Sequence, residues 1–178
     1  MRSATELLVQ YAAYHRDRRN IASHLVGVPM IVFAVGVLLA RPSLGVGALT
    51  LTPAWLLWAV ASLWYLTRGS VLLGLAVSAV TFVLFALARP VADGSVLGWL
   101  AWGSGLFLVG WAIQFVGHYY EGRKPAFVDD LSGLLVGPMF VVAEWLFALG
   151  ACRSILAEIE RRVGPTVLRD LAHPAQGA

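Results

Sequence analysis

The sequence predicts an all-α integral membrane protein: a helical bundle with four spans, a fifth segment broken by proline and flanking interfacial helices. Three observations carry this prediction. Of the 178 residues 59% are hydrophobic and 13% are charged, whereas soluble domains carry about 25% charged residues. The mean hydropathy is +0.76. Long apolar runs alternate with short polar segments, and a soluble core of this chain length could not hide so much apolar surface.

The charge pattern narrows the class of protein. The formal net charge of the chain is +3. In a membrane protein such an excess of Lys and Arg is typical of cytoplasmic loops that face anionic headgroups. Nucleic-acid binding is disfavoured, because the Arg residues are scattered and no basic aromatic motif accompanies them. The single cysteine, Cys152, excludes an internal disulfide and a cysteine-based metal site.

The N-terminal region is polar. Residues 3–15 predict a short amphipathic helix, which we expect to lie at the membrane interface because it is too short and too polar to span. The basic cluster at residues 15–20 predicts that this end is cytoplasmic. Asn20 is the predicted N-cap of the next helix. No apolar core of a cleavable signal peptide is found here, so we expect insertion through the first internal span.

Four apolar runs predict the spans, at residues 21–40, 49–66, 71–88 and 96–116. The first span contains His24 in its first turns. The second and third spans carry almost no polar chemistry, so we interpret them as scaffold. The fourth span ends with Gln114 and, just beyond it, His118.

The fifth apolar segment, residues 131–150, contains Pro138 and the ionisable Glu144. A proline inside a helix removes a backbone hydrogen bond. A carboxylate at this depth is costly unless it has a partner or water, so it indicates a functional site. Residues 153–163 predict an amphipathic helix with basic residues. The two chain ends lie on the same side only if the fifth segment re-enters, which is the topology we expect.

The domain organisation is simple. We expect one membrane domain over residues 1–163 and a disordered tail over residues 164–178. The tail contains the fourth histidine, His173, to which we assign no role.

Counting spans places three histidines in one membrane leaflet. His24 begins the first span, His118 ends the fourth on the same side, and His15 precedes the first. His15 and His24 are nine residues apart, which on one straight helix puts them on opposite faces. They can share a site only if the chain bends between them. Gln114, His118 and Glu121, at spacings of four and three residues, share one helix face.

Several readings stay open at this point. Three imidazoles suit either a redox iron site or a hydrolytic zinc site, and imidazole alone does not choose between the metals. A single interfacial histidine usually contacts headgroups, and Glu121 beside Arg123 and Lys124 reads equally well as a surface ion pair. A non-catalytic lipid-binding or scaffold membrane protein is therefore one alternative, and a zinc-dependent lipid hydrolase is another.

Two spaced patterns resemble the Mpo1-like family, over about residues 7–150. The first pattern comprises Tyr14, His15, Asn20, His24 and Pro29. The second pattern comprises Gln114, Phe115, Val116, Gly117, His118, Glu121, Arg123, Pro125, Ala126, Pro138 and Glu144. The middle spans add only hydropathy to this resemblance.

The resemblance implies an Fe(II)-dependent membrane dioxygenase that shortens a 2-hydroxy fatty acid by one carbon, with O₂ as co-substrate (α-oxidation). It implies that the iron ligands are His15, His24 and His118. It further implies imidazole-orienting roles for Asn20 and Gln114, substrate-binding roles for Arg123 and Lys124, and catalytic roles for Glu121, Glu144 and Lys124.

The expected surroundings combine this resemblance with the composition and charge pattern of the sequence. The protein would lie in a bacterial inner membrane or the endoplasmic reticulum, with its active site on the cytoplasmic side. Its expected partners are a 2-hydroxy fatty acid, O₂ and the lipid bilayer, without nucleic acid. A homo-oligomer is compatible with the sequence.

Overall fold

The structure, a computed structural model, describes residues 2–46 and 49–171. Within these residues the chain forms seven α-helices, one short β-hairpin and one 3₁₀ turn. The helices are α1 (Ala4–Ala12), α2 (Arg18–Ala40), α3 (Pro53–Leu66), α4 (Val71–Ala92), α5 (Val96–Glu121), α6 (Gly133–Ala148) and α7 (Arg153–Val163). The antiparallel hairpin pairs β1 (Leu44–Val46) with β2 (Leu49–Leu51), and the 3₁₀ turn is Ala126–Val128. The predicted helical membrane bundle is confirmed, and the hairpin is an addition that the sequence did not predict.

Three helices are long and apolar enough to cross a membrane. They are α2, α4 and α5, with 23, 22 and 26 residues. At about 1.5 Å per residue each exceeds the roughly 30 Å of a bilayer's hydrocarbon core. Three of the four predicted spans, at residues 21–40, 71–88 and 96–116, therefore correspond to helices of spanning length, and α4 and α5 run four and five residues further than expected. Because α5 runs on to Glu121, it carries Gln114 and His118 in regular helix.

The second predicted span differs from the structure. Residues 49–66 are divided between β2 and α3, and α3 has only 14 residues. The physical cause lies at Thr52 and Pro53: the Thr52 side chain accepts from the backbone N–H of Trp55, and Pro53 stands in the first turn, where its missing N–H is harmless. The helix therefore starts four residues later than hydropathy suggests. The count of four spans stays a prediction.

The fifth apolar segment forms α6, which contains Pro138. The next helix, α7, is bent away from α6 by 111°. The bend contains two residues with positive φ, Gly150 at 80° and Cys152 at 51°. The left-handed conformation ends a helix readily at glycine. Whether α6 and α7 form a broken span or a re-entrant segment stays a prediction.

The start of α2 corrects one expectation. Asp17, not Asn20, is the N-cap, and its carboxylate accepts from the backbone N–H of Arg19 at 2.8 Å. The helix begins at Arg18, so Asn20 lies within its first turn. Asn20 is fully buried there, because this turn faces α5 rather than solvent.

Helix α1 is packed into the protein. Leu7 and Leu8 are buried in a core cluster that also contains Phe140 of α6 and Ile159 of α7. Ser3 caps the helix in a reciprocal arrangement with Glu6, each side chain accepting from the other's backbone N–H. The first helix is thereby fixed to α6 and α7.

Hydrogen bonds show which ends of the helices lie together. The N–H of Ala4 donates to the carbonyl of Arg68, which ties α1 to the α3–α4 turn. Arg123, after α5, donates to the carbonyl of Ala13 at 2.8 Å. The end of the bundle that contains these two hydrogen bonds is called the histidine end. At the opposite end, which we call the hairpin end, Arg41 donates to the carbonyl of Gly94 at 2.9 Å.

The first residues of the expected tail lie along the start of α2. Val167 donates its N–H to the carbonyl of Arg16 and accepts from the N–H of Arg18, at 2.8 and 2.9 Å. Residues 164–171 are therefore placed against the histidine end. Residues 172–178, which include His173, lie outside the described residues.

Candidate metal centre

The structure brings together the three histidines of the predicted ligand set. His15 lies in the turn between α1 and α2, His24 in the second turn of α2, and His118 in the last turn of α5. Their exposed fractions are 0%, 2% and 6%. One ring nitrogen from each lies within 4.8 Å of the other two. The rings are mutually tilted, with centroids 4.3 to 5.1 Å apart.

The bend that this convergence needs is the turn between Ala12 and Arg18. Glu121, on α5, holds that turn in place. Its Oε2 accepts from the backbone N–H of Arg16 at 3.0 Å and of Asp17 at 2.7 Å, and from Nδ2 of Asn20 at 3.2 Å. One carboxylate oxygen thus ties the His15 turn to the helix that carries His118.

The hydrogen bonds of two histidines define their tautomers. His15 Nδ1 lies 2.7 Å from the carbonyl oxygen of Tyr11, and His24 Nδ1 lies 2.9 Å from the carbonyl oxygen of Asn20. Carbonyl oxygens only accept, so each Nδ1 carries the proton and donates. The Nε2 atom of each ring is left with a lone pair.

Those two Nε2 atoms face each other at 2.9 Å. Two lone pairs at this distance repel, and a cation between them removes the repulsion. With metal–nitrogen bonds of about 2.1 Å, two ligands at right angles are about 3 Å apart. Protonating His15 instead is unfavourable, because burial, and then neighbouring His24, lower its pKa well below 6.5. The pair therefore fits a metal ion.

His118 adds an independent sign of a missing partner. Its Nδ1 is buried and has no hydrogen-bond partner among the described residues. Buried polar atoms are rarely left in this state. Three neutral imidazoles with open coordination positions suit a catalytic Zn²⁺ or Fe²⁺ site.

The two residues that were predicted to orient imidazoles, Asn20 and Gln114, have different surroundings. Asn20 contacts His24 through its backbone carbonyl, while its side chain donates to Glu121 and to the carbonyl of Tyr14. The Nε2 atom of Gln114 has no hydrogen-bond partner in the described part of the chain, an imidazole nitrogen included. It lies instead beside a cavity.

Three charged candidates lie around the centre rather than in it. Arg123 donates to a backbone carbonyl, and Lys124 forms an ion pair with Asp129, which also accepts from the hydroxyl of Tyr14 at 2.8 Å. Glu144 is half-buried on α6 and does not contribute to the group of possible ligand atoms.

A cavity of about 70 Å³ opens beside His24 and His118, between α2, α5 and α6. Most of its lining is apolar or glycine: Val28, Ile31, Val32, Trp111, Pro125, Ala126, Phe127, Gly133, Leu134, Gly137 and Pro138. Its remaining lining residues are the two histidines, Gln114 and Tyr11. Such a space suits the small polar head of a ligand whose remainder is apolar.

Tyr11 and Asp17 are the residues of this region that the sequence did not single out. The Tyr11 ring stacks on His15, with centroids 4.1 Å apart and planes 8° apart. The sequence signal for this contact was the spacing of the two residues, because Tyr11 precedes His15 by four residues, about one helical turn. Asp17 was hidden within a basic cluster, although Asp is a common N-cap.

Comparison with known proteins gives the family. Residues 1–149 match the family described as 2-hydroxy-palmitic acid dioxygenase Mpo1-like. A curated relative, the 2-hydroxy-palmitic acid dioxygenase MPO1 of Saccharomyces cerevisiae, is 33% identical over 153 residues, which cover 84% of this chain and 83% of the relative. No solved structure matches. The chain, with three histidines gathered at one end of its bundle, belongs to the Mpo1-like family.

Proposed function

We propose that the protein is an Fe(II)-dependent membrane dioxygenase that removes one carbon from 2-hydroxy fatty acids. The observation that carries the proposal is the pair of facing, unprotonated Nε2 atoms of His15 and His24, with the unpartnered Nδ1 of His118 beside them. The relative's activity supplies the substrate class.

His15, His24 and His118 would hold the iron. Bound there, Fe(II) would supply dioxygen chemistry and a Lewis acid for the substrate carboxylate. The carbonyls of Tyr11 and Asn20 fix the ring orientations by accepting from the two Nδ1–H groups. These carbonyls keep both Nε2 atoms free to bind metal.

The chain also shapes where the substrate lies. The cavity admits the carboxyl head, while its apolar lining excludes water from the reacting carbon. The acyl chain would extend between the helices toward lipid. Arg123 and Lys124, on the loop after α5, would attract the carboxylate at the membrane surface.

Two carboxylates, those of Glu121 and Glu144, would also have roles in the site. Glu121 would position the His15 turn, since one of its oxygens already accepts three hydrogen bonds. The side chain of Glu144 would reach the site from α6. With the basic N-terminal cluster in the cytoplasm, the centre would open on the cytoplasmic side.

The overall reaction balances without an added reductant. A 2-hydroxy acid and O₂ give a fatty acid one carbon shorter, carbon dioxide and water. The bond between C1 and C2 breaks, C2 is oxidised to a carboxyl group and O₂ is reduced. The protein therefore needs no electron-donating partner for this chemistry.

Oxygen uptake tests the proposal. Protein purified anaerobically and loaded with Fe(II) is given 2-hydroxypalmitate in an oxygen electrode, and the products are identified by mass spectrometry. We expect one O₂ consumed for each pentadecanoate formed, and none with the zinc-loaded protein. Iron-loaded protein that consumes no oxygen would contradict the proposal, and cleavage of lipid esters by zinc-loaded protein would favour the hydrolase.

A further inference from the structure

Gln114 lines the cavity, and its side chain contains a buried donor atom without a hydrogen-bond partner in the described part of the chain. Its side chain is on α5, one turn before His118, and the residue is 3% exposed. Its Nε2 atom has no hydrogen-bond partner among the described residues. Leaving such a buried donor unsatisfied is unfavourable, so the amide fits a ligand atom better than it fits this apolar surrounding.

The backbone of α2 makes room for this amide. A Cβ atom at Gly27 would lie 2.6 Å from Gln114 Nε2 and 2.9 Å from the carbonyl oxygen of Gly110. Any other residue at position 27 would push the amide aside. The packing of α2 on α5 thus leaves room for the Gln114 side chain, and Gln114 lines the cavity together with His24 and His118.

The charge of the cavity indicates which part of a substrate the amide meets. Among the described residues that line it there is no Lys or Arg. Within the cavity, a carboxylate would therefore find its counter-charge at a cation held by the histidines. A neutral hydroxyl, which both donates and accepts, is matched by a neutral amide, which also does both.

We propose that Gln114 hydrogen-bonds the 2-hydroxyl group of the substrate and so makes the protein select 2-hydroxy fatty acids over unsubstituted ones. The inference rests on the proposed function and names the residue that reads the hydroxyl. A site that bonds a substrate hydroxyl discriminates against the analogue that lacks it, because its own polar group is then left unpaired.

Binding without turnover tests the inference. Iron-loaded protein is kept anaerobic, and the dissociation constants of 2-hydroxypalmitate and palmitate are measured by displacement of a fluorescent fatty acid. We expect Gln114→Met to weaken 2-hydroxypalmitate binding about tenfold, the equivalent of one hydrogen bond, and to leave palmitate binding nearly unchanged. Gln10→Met, the same exchange at an exposed position on α1, is the matched control and should keep the wild-type ratio.

The outcomes separate this inference from the proposed function. A Gln114→Met protein with the wild-type ratio overturns the inference, as does a wild-type protein that binds both acids equally. Wild-type protein that binds neither acid and consumes no oxygen overturns the proposed function itself. If Gln114→Met does not fold, Gln114→Asn, which keeps the amide but is one methylene shorter, should lose the same preference, and its failure to do so overturns the inference.

Discussion

At the residue scale, Glu121 connects two parts of the centre that are about a hundred positions apart in the chain. It is 2% exposed, and its three hydrogen-bond donors all belong to the turn after His15 or the first turn of α2. Groups that orient metal ligands in this way typically change metal affinity about 10–100-fold when they are removed.

We therefore expect Glu121→Ala to weaken iron binding by about 10–100-fold, measured by competition with a chelator. Glu121→Gln keeps one oxygen acceptor and should lose less. Glu158→Ala removes a partly exposed glutamate whose ion-pair partners, within the described part of the chain, are Arg161 and Arg162 on α7. This control should leave iron affinity unchanged. Equal iron affinity in the Glu121→Ala and Glu158→Ala proteins would show that Glu121 does not position the site.

Asp17 makes the start of α2 sensitive to acid. Hydrogen bonds from the side chain of Arg19, and from the backbone N–H groups of Arg169 and Arg19, lower the pKa of Asp17 from 3.8 to about 2. A carboxyl group whose pKa is lower in the folded state stabilises the fold above its ordinary pKa. That contribution disappears as the pH falls from about 4 to about 2.

Asp17→Asn should therefore lower the free energy of unfolding by on the order of 1–2 kcal/mol at neutral pH, allowing for the partly exposed Arg19. The difference from wild type should shrink below pH 4. Thermal unfolding in detergent at several pH values measures it. A difference that stays constant from pH 7 to pH 3 would rule out this role for the Asp17 carboxylate.

Residue spacing predicted some of the site and missed the rest. The order of spans was enough to expect His15, His24 and His118 at one end of the bundle. Asn20 was wrongly expected to cap α2, because Asp17 three residues earlier competes for that role. The hydrogen-bond state of Gln114 was beyond reach, since it depends on which residue of α2 stands opposite.

At the element scale, glycines on α5 allow α2 to approach the centre. Gly103, Gly110 and Gly117 are spaced by seven residues, so they share one face. A Cβ atom at any of the three positions would lie nearer to an atom of α2 than non-bonded atoms approach one another in packed proteins. Small residues at such positions let two helices approach closely in a membrane, and this approach brings His24 next to His118.

Gly110→Ala tests this packing. Its Cβ would lie 2.7 Å from Ile31 Cγ1 and 3.0 Å from the carbonyl oxygen of Gly27. Since that backbone oxygen cannot rotate away, we expect a loss of roughly 1–3 kcal/mol and lower iron occupancy. Gly105→Ala, on the same helix with no neighbour within 4 Å, should be neutral or slightly stabilising. Equal melting temperatures for the two variants would contradict the account.

Hydropathy predicted the long helices well and the second span poorly. A sliding window measures apolarity, which β2 and α3 share, so it does not show where one ends and the other begins. The local signals were Thr52 and Pro53, an N-cap followed by a proline at the first helical position. Capping chemistry, rather than hydropathy, determines the start of α3.

At the scale of the whole molecule, the segments that carry the three histidines all lie at the histidine end of the bundle. The turns before α2 and after α5 lie there with the α3–α4 turn, while the hairpin and the α4–α5 turn lie at the other end. In a membrane these two ends would face opposite sides.

Cysteine labelling in intact membrane vesicles tests that arrangement. In a Cys152→Ser background, Thr67→Cys lies at the histidine end and Ser43→Cys at the hairpin end, both at exposed positions. We expect an impermeant maleimide to label only one of the two in sealed vesicles of one orientation. Equal labelling of both, before the vesicles are permeabilised, would place both ends on the same side of the membrane.

The most direct measurement of the central claim is the iron content of single histidine variants purified without oxygen. If His15, His24 and His118 jointly hold one ion, wild-type protein contains one iron per chain, and replacement of any of the three by alanine removes it. His173→Ala, the same substitution at the histidine to which we assign no role, should keep the full iron content. Full occupancy in a folded His24→Ala or His118→Ala protein would contradict the account.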